Sequence, residues 1–95
     1  GLARRARDAF EDAIAVAPAY LPAREARMQF ALQAPSVLGG GMRRARAEAE
    51  EIARRDAHRG DVAHLAIARR AGDDAGAVRL LERIVAAFPD SARYR

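Results

Sequence analysis

Three segments of this chain share one spacing. Ala6, Phe10, Ala13 and Pro18 stand four, three and five residues apart, and Ala45, Ala49, Ile52 and Ala57 repeat those steps. So do Ala77, Leu81, Ile84 and Pro89. The first two steps put three side chains on one face of an α-helix. The third falls where that helix stops, at a proline in two of the three copies. A helix with a narrow stripe of small and medium apolar residues cannot bury the stripe alone; it needs a neighbour of the same kind. The repeated stripe therefore predicts an all-α chain of antiparallel helix pairs stacked into an array, an architecture that serves to bind other molecules.

About five helices follow from the local signals. Leu2 to Ala17 carries an apolar face of Leu2, Ala6, Phe10, Ala13 and Ile14, and Pro18 ends it. A second helix is expected from Leu21 to Ala34, with Pro22 tolerated in its first turn and Pro35 closing it. Ser36 to Gly41 reads as a loop, made adaptable by Gly39, Gly40 and Gly41. The third helix spans Met42 to Arg55, with Arg44–Glu48, Arg46–Glu50, Glu50–Arg54 and Glu51–Arg55 spaced for i,i+4 pairs. A fourth is expected from Asp61 to Ala71, with Gly60 breaking the chain before it and Gly72 closing it. Asp73 or Asp74 can cap a fifth helix that runs to Phe88 before Pro89, and Asp90 to Arg95 can begin a sixth.

The intervals from Pro18 to Ala57 and from Ala57 to Pro89 bracket the period of roughly 34 residues that marks tetratricopeptide arrays. The longer interval contains the glycine loop, which reads as an insertion of about five residues in that period. On these residues the chain resembles a tetratricopeptide repeat protein of a divergent bacterial type. That family's second-helix motif is Ala, Phe, Ala and Pro at the same steps, and Ala6, Phe10, Ala13 and Pro18 match it throughout. Gly72-Asp73 sits where the family turns between helices. Arg24 and Arg27 stand where the family carries Trp and Leu, and Met28 where it carries Gly. The resemblance implies one domain over residues 1–95: a partial repeat in 1–18, repeats in 19–57 and 58–89, and the start of a further helix in 90–95.

The resemblance also implies a groove lined by the first helix of each repeat. Carried over by position, the groove residues are Pro22, Glu25, Gln29 and Leu32 from one helix and Asp61, His64 and Ala68 from another. The expected function is a non-catalytic scaffold or adaptor that binds a protein or peptide. Members that clamp a terminal carboxylate use Asn at positions held here by Ala26 and Leu65, so that mode is not expected.

All 17 basic residues are Arg, balanced by 13 acidic ones to a net charge of +4. Arginine in a first helical turn opposes the macrodipole, which singles out Arg43, Arg44 and Arg46 as contacts for an acidic partner. The five aromatic residues do not interleave with the arginines, so nucleic acid is not an expected partner. His58, Asp61 and His64 drift off one helix face and lack a fourth ligand, so no metal and no cofactor is expected. The glycine run before Met42 lacks the spacing, Lys and Ser/Thr of a nucleotide loop. Ser36 and Ser91 have no His near them in sequence, and catalysis is not expected. No apolar run approaches the ~18 residues of a membrane span. The Ala- and Arg-rich composition suggests a GC-rich bacterial source, with the protein in the cytoplasm or periplasm. Neither the first nor the fifth helix shows a polar outer face. The chain therefore reads as part of a longer array, or as one that forms a homodimer through its terminal helices.

Overall fold

The computed structural model describes residues 1–34 and 40–87. Pro35, most of the expected glycine loop, Phe88, Pro89 and the expected sixth helix lie outside the described residues. Five helices and no strands are found among those described: α1 (Leu2–Val16), α2 (Leu21–Gln33), α3 (Met42–Arg55), α4 (Ala57–Ala71) and α5 (Asp74–Ala87). Each packs on the next in chain order, and α2 also touches α4. No helix is long and apolar enough to cross a membrane.

The core sits in the middle three helices. Met28 and Ala31 from α2 meet Ala45, Ala49 and Ile52 from α3 and Ala63 and Ile67 from α4. Ala45, Ala49 and Ile52 are the central stripe of the repeated spacing, and all three are fully buried. With alanine at most contact positions, the backbones approach closely, and among the described residues Ile52 is the one large side chain wholly enclosed. Helix α1 attaches more lightly than the other helices. Helix α1 docks through Phe10, whose ring meets Phe30 of α2 edge-on at 5.8 Å between centroids. Its stripe residue Ala13 stays exposed.

The fourth helix begins a full turn earlier than its sequence suggests. Asp56 alone separates α3 from α4, and its carboxylate accepts from the Arg59 amide at 3.0 Å as the N-cap. Gly60 therefore lies inside α4, and it is buried. A Cβ there would stand 2.4 Å from the Cα and Cβ of Ala53, so the glycine marks the closest approach of α3 and α4. Glycine is a poor helix former, and here packing outweighs propensity. Gly72 does close α4, in the left-handed conformation at φ 74°, and donates to the Ala68 and Arg69 carbonyls. Asp73 is the residue that caps α5, accepting from the Gly76 amide at 3.0 Å.

Two substitutions test this packing by thermal or urea unfolding. Ile52→Ala should cost about 2–5 kcal/mol, as expected for an enclosed cavity. Gly60→Ala should destabilise by about 1–3 kcal/mol through overpacking, although alanine is the better helix former by nearly 1 kcal/mol.

Candidate partner-binding surfaces

One charged side chain in the core organises the surfaces around it. Glu48 of α3 is only 3% exposed. The spacing reading pairs it with Arg44 on its own helix. Instead, its place between Ala45 and Ile52 on the buried stripe turns it toward α2. There Arg24 Nη1 reaches Glu48 Oε1 at 3.4 Å, and Arg27 Nε lies against Oε2 as an ion pair rather than an aligned hydrogen bond. Arg24 Nε also donates to the Pro18 carbonyl at 3.0 Å, tying the α1–α2 connection to the same centre. The resemblance to tetratricopeptide repeats puts Trp and Leu at these two positions. Here they are counter-ions, not missing core residues.

Of the other expected i,i+4 pairs, Glu51–Arg55 forms at 3.6 Å, and Arg54 reaches Glu51 at 2.8 Å rather than Glu50. Arg44, Arg46 and Glu50 make no ion pair among the described residues.

The expected groove residues fall into two furrows on opposite sides of α4. One lies between α2 and α4. Gln29, Leu32 and Gln33 face Ala66, Arg69 and Arg70 across a hollow of about 570 Å³. Cross-helix contacts fix its walls. Arg59 pairs with Glu25 at 3.5 Å, and Arg70 Nε donates to the Leu32 carbonyl at 3.3 Å, satisfying an acceptor in the last turn of α2. Pro22, in the first turn of α2, is exposed. The other furrow, of about 580 Å³, runs between α3, α4 and α5 and holds Asp61, His64 and Ala68 beside Arg46 and Leu80.

Thus Gln29 and Leu32 share one furrow with Glu25 at its flank, while Asp61, His64 and Ala68 belong to another. The cause is the rotation of α4. Gly60, Ala63 and Ile67 pack toward α3, and this turns Ala66 and Arg70 to α2 and Asp61 to α5. Asp61 is already engaged, accepting from Arg83 of α5 at 2.7 Å.

The three arginines singled out at the start of α3 are also divided. Arg43 and Arg44 border a hollow of about 670 Å³ with Arg24 and Arg27, whereas Arg46 faces the α5 side. No group of three His, Cys, Asp or Glu residues is placed to hold a metal ion among the described residues. The missed residue is Glu48. Its signal was present in the chain: it lies three after Ala45 and four before Ile52, on the stripe itself.

No family model matches the chain, and no curated protein or solved structure matches it.

Glu48→Ala should destabilise by about 3 kcal/mol, because two poorly solvated guanidinium groups lose their counter-ion. Glu50→Ala, on the exposed face, should stay within about 0.5 kcal/mol. Replacing Glu48, Arg24 and Arg27 together by Leu and Met should recover most of the loss. Urea midpoints of the three variants check the set.

Proposed function

We propose that the chain is a tetratricopeptide-like repeat module, and that it acts as a non-catalytic scaffold that takes a protein or peptide into the furrow between α2 and α4. The carrying observation is that this furrow is open yet has fixed walls. The Glu25–Arg59 ion pair and the Arg70–Leu32 hydrogen bond flank it. Preorganised walls lower the ordering cost of association. Its lining suits an extended peptide. The carboxamides of Gln29 and Gln33 can both donate and accept, matching a peptide backbone, and Leu32 and Ala66 offer a small apolar floor. Arg69 adds a cation, favouring a segment with an acidic side chain.

A peptide selected from a random library against the full chain should bind this furrow. Gln29→Ala with Arg69→Ala should raise its Kd about tenfold or more and leave the melting temperature unchanged, since both side chains are exposed. Equal affinity for the variant, measured by calorimetry, would reject the furrow.

A second reading is favoured by the outer side of α5. Val78 is 52% exposed and borders, with Leu81 and Val85, an apolar hollow of about 340 Å³. At the other end, Leu2 and Val16 of α1 are exposed as well. In this reading the terminal helices join copies of the chain. Sedimentation equilibrium should then give a dimer that Val78→Glu converts to monomer. A monomer at all concentrations would reject this second reading.

A further inference from the structure

We propose that the furrow between α3, α4 and α5 binds an extended acidic peptide, with one carboxylate on Arg46 and a second on Arg79. It lies across α4 from the furrow between α2 and α4 and does not rest on the reading of that furrow. Arg46 of α3 lines one wall, and Arg79 and Leu80 of α5 line the other. Ile67 and Ala68 of α4, both buried, form the floor. The two acids in the furrow are already committed. Asp61 accepts from Arg83 at 2.7 Å, and Asp73 accepts from the Gly76 amide at 3.0 Å. Arg46 and Arg79 are exposed and His64 is half-buried, and none of the three makes an ion pair or a side-chain hydrogen bond among the described residues. The charge left unanswered in the furrow is therefore positive.

Helix register brings the two free arginines to one height. Both α3 and α5 run antiparallel to α4. Gly60 of α4 meets Ala53 of α3, and seven residues from that contact stand Ile67 on the one helix and Arg46 on the other. Asp61 of α4 meets Arg83 of α5, and four residues from that contact stand Leu65 and Arg79. Arg46 is therefore level with Ile67, and Arg79 with Leu65, a difference of about 3 Å along α4 at a rise of about 1.5 Å per residue. Two cations thus come to the same stretch of the floor from opposite walls. Each stands in the second turn of its helix, so the positive charge belongs to side chains and not to a helix end. His64 lies beside Leu65 on α4, where its ring can add a hydrogen-bond donor.

Charge pattern and floor select the occupant. Each guanidinium offers a planar fork that matches one carboxylate. In an extended peptide the side chains at i and i+2 leave on the same face, about 7 Å apart, so two acids in that spacing can divide between two walls. The methylenes of a glutamate, or an alanine between two of them, suit the floor of Ile67 and Ala68 and the flank of Leu80. A nucleic-acid strand fits less well. No aromatic side chain lines the furrow to stack a base. Asp61 and Asp73 also lie along it, and they repel a chain charged at every unit while leaving neutral peptide residues undisturbed.

The test titrates the acetylated, amidated pentapeptide Ala-Glu-Ala-Glu-Ala into the full chain and follows amide ¹H–¹⁵N shifts at constant ionic strength. Saturating shifts are expected at Ile67, Ala68, Arg79 and Leu80. The counterpart with glutamine in place of both glutamates should bind about tenfold or more weakly, a comparison that needs no variant protein. Arg46→Ala with Arg79→Ala should weaken the acidic peptide by a similar factor at an unchanged melting temperature. Arg4→Ala with Arg5→Ala removes the same charge from α1 and should change nothing. Gln29→Ala with Arg69→Ala should also leave this binding intact, which separates it from the furrow between α2 and α4. The proposal is overturned by shifts that do not saturate, by equal affinity for the glutamine peptide, or by equal weakening in the α1 variant. It is overturned too if a single-stranded oligonucleotide moves the same amides at lower concentration, or if they move when the chain alone is concentrated, since a second copy then fills the furrow.

Discussion

A carboxylate taken out of water must be answered by positive charge, and Glu48 makes that demand at the centre of this chain. The answer comes from two arginines one turn apart on α2, so α2 has one position along α3 in which both reach the acid. In that position Met28 and Ala31 of α2 face Ala45, Ala49 and Ile52 of α3. Apolar contacts among alanines are nearly flat and would tolerate sliding. The two Glu48 ion pairs favour the one offset that keeps both guanidinium groups on the acid. Through the Arg24 bond to the Pro18 carbonyl, the same carboxylate also sets where α1 ends and α2 begins.

Small side chains dictate the rest of the geometry. Where alanine meets alanine, and where Gly60 meets Ala53, helices come close enough that their rotation about their own axes is determined by the contact. The rotation of α4 decides which residues reach which furrow, and thereby separates Gln29 and Leu32 from Asp61, His64 and Ala68. Which residues share a surface is set by helix phase more than by residue type.

This accounts for what the amino-acid sequence reveals and what it hides. Helices α2 and α3 fall almost where their prolines and glycines put them, because such residues act locally and need no partner to be effective. The start of α4 is missed because Gly60 is judged by propensity, and propensity yields to packing when a second backbone lies against it. Arg24, Arg27 and Glu48 each look out of place alone; two arginines on one helix answer an acid on another, and only their contact explains all three. The choice of groove face on α4 is hidden for the same reason. Periodicity gives the faces of a helix but not the neighbour each face meets.

The single residue between α3 and α4 has a kinetic consequence. Asp56 ends one helix and caps the next, so these two helices meet almost without loop closure, and their contacts span short distances in sequence. The α3–α4 hairpin holds most of the buried alanine and isoleucine stripe and is the element best able to form early. Helix α5 follows α4 after only Gly72 and Asp73 and shares this advantage, whereas α2 reaches α3 across residues 34–41, the longest connection between the described helices.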